Sequence, residues 1–463
     1  MAYSRLRRIW YIHDWNTVRD TLGRWEEEDR EMRRKALVGN RIVKPHLPPR
    51  RVWDLYNNRV VPWWCTGLIR VRTCKLQPIS HAWMDETDRV NVSTPTNGYE
   101  WPVPMPKDAS LNLVRIEMLN IEVEDDSEVE DDLELEYAWL DILCLRQVGG
   151  QGEDMRAEEW KLDVPTIGAV YDEPNVAVYL SGLGRPLSLK DGDLDSDRCW
   201  FRRAWTLQEA GPTTSMLIAG DTPDGPLHAK RDEDGKYGTE LLTRFHKQLQ
   251  STVDRYGMFS ALEEMQNRVS TNPVDKVAGL AFLVQSKSIP AYYESESLED
   301  AWTALVNSMW MLLRGELFCF YPEPGNAGRK WRPSWDQQMM KPLAAGEYYP
   351  DIYVDRNEEM DEDSCNAPCI EKGLVRGLAA VEGGDRRGEL IVKDVGGMEH
   401  AFNITATHEY PIPEDIYTLI CTRRDYEFWV LGRRLPGKRF EKVSVLRIAD
   451  VDQWKRLKNL STE

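Results

Sequence analysis

Three short segments hold the residues best suited to chemistry: Ile79-Ser-His-Ala-Trp83, Tyr137-Ala-Trp-Leu-Asp-Ile-Leu-Cys-Leu-Arg-Gln147 and Arg203-Ala-Trp-Thr-Leu-Gln-Glu209. The second is an apolar run interrupted by Asp141 and closed by Cys144, Arg146 and Gln147. That pattern suits a buried parallel strand whose carboxyl end opens onto a site. A carboxylate inside such a strand costs free energy unless it is paired, so Asp141 needs a hydrogen-bond partner whether its role is structural or catalytic. In the third segment a tryptophan stands four residues before a glutamate. On a helix this spacing puts Trp205 and Glu209 on one face, with Gln208 beside them. From the residues alone, Glu209 reads either as a catalytic carboxylate tuned by an aromatic wall or as an ion-pair partner of Arg202 or Arg203, and Trp205 as wall or core. Cys144 and His81 would make a nucleophile and its base, but no third group to orient the histidine is evident, and a thiol in an apolar strand reads as structural.

In this order the segments resemble the motifs of the HET (heterokaryon incompatibility) domain of fungi. Ser80 and Trp83 match a strand ending in Ser-x-x-Trp, with His81 and Ala82 where tyrosine or arginine is common. Trp139, Asp141, Cys144 and Gln147 match Trp-x-Asp-x-x-Cys-x-x-Gln in full, and Arg203, Trp205, Thr206, Gln208 and Glu209 match Arg-x-Trp-Thr-x-Gln-Glu in full. Between them, Val164 to Tyr171 and Asn175 to Gly184 fit the helix and strand of the family. Asp275 to Leu280 and Trp331 to Trp335 look like segments that follow its core. The resemblance covers residues 45 to 340.

What the resemblance implies is a TIR-like, flavodoxin-like α/β core, a mostly parallel sheet flanked by helices. In TIR domains that cleave NAD, a glutamate lies in a helix after the third strand, with a tryptophan four residues before it. Glu209 and Trp205 occupy that place, which implies Glu209 as the catalytic residue. Ser80, His81, Trp83, Asp141, Gln147, Trp205 and Gln208 then become groups of the NAD pocket, with Trp83 stacked on a ring of the ligand. Cleavage of the ribose–nicotinamide bond passes through an oxocarbenium-like state, which a carboxylate stabilises. The implied function is NAD glycohydrolysis in non-self recognition and programmed cell death. The alternative is a non-catalytic interaction module that signals by self-assembly. NAD enters as substrate, and neither a cofactor nor a metal is expected. An NAD hydrolase that is always active would poison its cell, so the expected partners are further copies of the chain or a recognition protein that gates activity.

Composition narrows the alternatives. A formal charge of −18 over 463 residues argues against general binding to a nucleic-acid backbone, although Arg5 to Arg8 and Arg30 to Lys35 give the N-terminal stretch a basic bias. Eight cysteines at irregular spacing form neither a disulfide framework nor a zinc pattern. No signal peptide and no long apolar run are present, so the expectation is a cytoplasmic chain without membrane attachment.

The elements that must position these residues follow from period and punctuation. Residues 1–44 read as an N-terminal helical arm and 45–225 as the α/β domain. Residues 226–345 read as a helical region completing the core. From 346 to 463 short alternating runs between turn residues predict a small β-rich domain, an antiparallel sheet or barrel. The acidic run from Glu122 to Glu136 reads as an exposed loop. Gly149 to Asp154 lacks both phosphate-loop and dinucleotide-fold spacing and reads as a plain loop.

Overall fold

The structure, a computed structural model, describes residues 14–66, 76–84, 86–121, 136–210, 215–253, 257–284, 286–341, 351–379, 385–421, 428–448 and 450–460. The basic run at Arg5 and the acidic run up to Leu135 lie outside the described residues. The chain divides into two compact units, Met1–Gly257 with Asn267–Ser297, and Met258–Gln266 with Leu298–Glu463. The stretch read as one helical region is therefore shared between them: Glu240–Val253 belongs to the first, and Leu298–Ser308, Met311–Phe320 and Trp335–Met340 to the second.

The first unit opens with α1 (Trp15–Ala36), whose Asp14 caps the Thr17 amide and whose last turn carries Arg33, Arg34 and Lys35, the signs a helix dipole favours. Arg33 is buried between Asp29 at 2.9 Å and Asp163 at 3.7 Å, and Arg50 reaches Asp163 at 2.6 Å.

Its six-stranded sheet is built from β1 (Arg51–Asp54), β2 (Arg59–Pro62), β3 (Leu76–His81), β4 (Tyr137–Leu140), β5 (Asn175–Tyr179) and β6 (Ser215–Ile218), in the spatial order β6-β5-β3-β4-β1-β2. The pairs β6/β5, β5/β3 and β3/β4 are parallel, while β4/β1 and β1/β2 are antiparallel, so the sheet is mixed. Every residue of β3 and β4 is buried, as is usual for strands covered on both faces. Helix α2 (Leu111–Leu119) precedes β4, and α3 (Asp141–Cys144) and α4 (Arg156–Asp163) follow it.

One correction concerns the run from Tyr137 to Gln147, read as a single strand. The strand ends at Leu140, and Asp141 begins the helical turn α3. The apolar residues Ile142, Leu143 and Cys144 stay buried in that turn, so hydrophobicity alone does not mark where the strand stops.

The strand order defines where a ligand fits. From β3 the chain goes on to β4 on one side, and from β5 it goes on to β6 on the other. Neighbouring parallel strands whose connections leave in opposite directions open a crevice at their carboxyl ends. Ser80 and His81 stand at that end of β3, in register with Val178 and Tyr179 of β5.

The second unit carries a closed antiparallel barrel of β7 (Cys369–Arg376), β8 (Arg386–Lys393), β9 (Glu399–Ala406), β10 (Asp415–Cys421), β11 (Phe428–Arg434) and β12 (Phe440–Arg447), ordered β7-β8-β9-β12-β11-β10. Alternate residues such as Leu390 and Val392, and Phe402 and Ile404, fill its core together with Trp429 and Leu457. Lys442 of β12 is also buried, and its ammonium donates to the carbonyls of Phe318 and Tyr321, at the end of helix Met311–Phe320, at 2.7 and 2.6 Å. Among the described residues no helix is long and apolar enough to cross a membrane.

Candidate active site

Ser80 is fully buried at the end of β3, where its hydroxyl meets two partners from the same later segment. The indole N–H of Trp200 donates to Ser80 Oγ at 2.7 Å, and Ser80 Oγ donates to Glu209 Oε2 at 2.5 Å. An indole N–H can only donate, so Ser80 Oγ accepts from Trp200, and when Glu209 is ionised the Ser80 proton goes to the carboxylate.

Glu209 closes the single turn α5 (Thr206–Glu209) and keeps a partial opening to solvent. Loss of hydration pushes its carboxyl up to about 7; the negative charge of Asp141 adds to the rise, while the Ser80 hydrogen bond and the positive charges of His81 and Arg268 act against it. The turn itself is clamped from below. Arg268, buried, donates to the Arg203 carbonyl and to Thr206 Oγ1, each at 2.8 Å, and the Ala204 amide donates to the Val269 carbonyl at 2.9 Å.

A second dyad faces the first. His81 Nε2 lies 2.9 Å from Asp141 Oδ1, and the Trp83 indole donates to Asp141 Oδ2 at 3.1 Å. The imidazole stacks on Trp83, with ring centres 5.7 Å apart. Burial works to lower the His81 pKa, but the charge and hydrogen bond of Asp141, helped by Glu209, prevail and raise it. The aspartate thus has the partners that its apolar surroundings require. Beneath both dyads the Tyr171 hydroxyl donates to the Ile79 carbonyl at 3.0 Å, and Trp139 packs edge-on against the Tyr171 ring.

Ser80 with Glu209, and His81 and Trp83 with Asp141, therefore form two hydrogen-bonded groups at the carboxyl ends of β3 and β4, near enough for their charges to act on each other. Gln147 stands one step removed: its amide donates to the carbonyl of Leu145 at 3.0 Å and reaches that of Asp141 at 3.5 Å, closing the turn after α3. Gln208 is buried, and among the described residues both its amide atoms lack a hydrogen-bond partner. Trp205 goes elsewhere. Its ring packs against Tyr292 at 6.4 Å, and its indole N–H is bonded to Asp275.

Trp205 has helical backbone at the start of α5, four residues before Glu209 as the spacing requires, but its indole is committed to Tyr292 and Asp275. The tryptophan that reaches the glutamate is Trp200, through Ser80. It lies outside the motif, and the aromatic pair Trp200-Phe201 just before it was the only local signal. Arg268, more distant still, carries none. Of the two arginines read as ion-pair partners of Glu209, Arg202 pairs with Asp197 at 3.0 Å, while Arg203 feels the charges of Asp275 and Glu209. Burial pushes the Cys144 thiol up to about 12, which removes it as a nucleophile near neutral pH.

The cluster is thus two carboxylates, one of them protonating near neutrality, around one buried imidazole and one hydroxyl. No protein-family model, curated protein or solved structure matches this chain.

Proposed function

We propose that the first unit is a HET-type, TIR-like domain that hydrolyses NAD to nicotinamide and ADP-ribose. The observation that carries this reading is the Glu209 carboxyl held by the Ser80 hydroxyl at the switch point between parallel strands of the mixed sheet. The strand order adds support: β4-β3-β5-β6 corresponds to the first four strands of the flavodoxin-like 2-1-3-4-5 arrangement.

In this mechanism the C1′–N bond breaks heterolytically, and its electron pair leaves with nicotinamide as a neutral base. Positive charge then spreads over C1′ and the ribose ring oxygen, opposite the Glu209 carboxylate. Water adds to C1′, and its proton passes to Glu209 and on to solvent through the opening that this residue keeps. Trp83, half-buried and fixed by Asp141, offers a ring face to the ligand. The cellular setting proposed is cell death in non-self recognition, gated by self-association or by a recognition partner.

A conservative change tests the role of the hydroxyl. The Ser80 hydrogen bond is the main influence holding the Glu209 pKa down. Ser80→Ala is therefore expected to raise that pKa further and move the acidic limb of the pH–rate profile of nicotinamide release to higher pH. Superimposable limbs for parent and variant would show that Ser80 does not act through Glu209.

A further inference from the structure

Beside the cluster, a cavity of about 260 Å³ opens at the carboxyl ends of β3 and β5, bounded by Ala82 from one strand end and Ser181 from the other. Trp200 is shared: its N–H serves Ser80 while its ring lines the cavity. Three cations, Arg185, Lys190 and Arg198, stand in the same wall. The carboxylate in the lining is Asp193, and it accepts the backbone N–H of Lys190 at 2.8 Å, which turns it into its own loop.

The arginines have partners of a displaceable kind. Arg185 pairs with Asp108 at 2.7 Å and Arg198 with Asp88 at 3.2 Å, and these carboxylates are 65 % and 47 % exposed. Exposed pairs of this type contribute little and yield to a better anion. The Lys190 ammonium has no ion pair among the described residues. In a chain with a net charge of −18, the lining of this crevice holds three cations against one carboxylate, and two of the cations are matched by exposed aspartates from outside the lining. Displacement of those aspartates leaves the lining cationic, which points to an anionic ligand.

We infer that this cavity takes the diphosphate of a nucleotide substrate, held by Arg185, Lys190 and Arg198. Size supports a part over a whole: complete ligands of drug size occupy roughly 300–1,000 Å³, and this cavity falls short of that range. The shared Trp200 links the two halves, so a molecule anchored by its phosphates in the cavity presents its sugar toward Glu209. That last step rests on the hydrolase reading above, whereas anion binding does not.

Calorimetric titration of the full chain with ADP-ribose and with adenosine tests the inference. ADP-ribose is expected to bind at least about tenfold more tightly than adenosine, with an affinity that falls as salt rises. The triple variant Arg185→Gln, Lys190→Gln, Arg198→Gln is expected to lose about tenfold or more in ADP-ribose affinity. Lys190→Gln alone, at an exposed position, is expected to lose several-fold, and it provides the readout should the triple variant fold poorly. Equal affinities for the two ligands, no ADP-ribose binding, or unchanged binding in the Lys190 variant would overturn the proposal. A chain that binds ADP-ribose through these cations yet releases no nicotinamide keeps the anion site and refutes only the hydrolase reading.

Discussion

Glu209→Gln is expected to lower the rate of nicotinamide release from NAD by roughly a thousandfold, the scale of removing a charged group aimed at a transition state. The same variant is expected to be more stable than its parent above neutral pH. The Glu209 carboxyl is pushed up to about 7 from an ordinary value of 4.5, so the folded protein holds its proton more tightly than the unfolded chain does. That contribution is fully present below about 4.5 and is lost as the pH rises through 7, where the folded state must carry a poorly hydrated anion. Glutamine keeps the shape and does not ionise. With a discount for the solvent opening, the gain at pH 8 is on the order of 2 kcal/mol, and at pH 4 it vanishes. Melting curves of parent and variant at the two pH values check the sign. A variant less stable than the parent at pH 8 would mean that the carboxylate is a structural partner and not a strained catalytic one.

The second large effect is expected in the barrel unit. Lys442→Met keeps the apolar stem but leaves the Phe318 and Tyr321 carbonyls without their donor, at an expected loss of about 2–4 kcal/mol. Burial pulls the Lys442 ammonium down to about 7 from 10.5, with Cys319 acting weakly in the other direction. Between those values the unfolded chain binds a proton that the folded one does not, so parental stability rises with pH from 7 toward 10 and is flat below 7. The methionine variant lacks this rise. Denaturant titrations from pH 6 to 9.5 follow the difference between the two proteins; a difference independent of pH would contradict the assigned burial.

How far the sequence carried the fold depends on how local the signal was. The apolar runs at Leu76 to His81, Tyr137 to Leu140 and Asn175 to Tyr179 mark buried strands because both faces of each are covered. Alternation at Leu390 and Val392 marks a half-buried strand in the same way. Closure of the barrel depends instead on β7 pairing with β10, as in Val375 opposite Asp415, and no local pattern encodes that contact. The site divides similarly. Ser80 and Glu209, 129 residues apart, meet as the end of a parallel strand and a neighbouring turn. Trp200 and Arg268 escaped notice because one needs knowledge of where the 3-10 turn bends and the other crosses to the turn from a separate segment. Lys442 reads in sequence as one more polar residue of an alternating strand; only its two carbonyl acceptors give it a role.

Under the proposed function, a carboxylate at Glu209 that titrates near neutrality drives cleavage of the bond to nicotinamide. The most direct test is to incubate purified full-length chain with NAD from pH 5.5 to 9, both dilute and self-associated by concentration or crowding, and to quantify nicotinamide and ADP-ribose by chromatography. The account predicts equal amounts of the two products and a rate that climbs through a pH of about 7 as Glu209 loses its proton. Absence of nicotinamide in every state and at every pH, or a rate that is level across that interval, would contradict it.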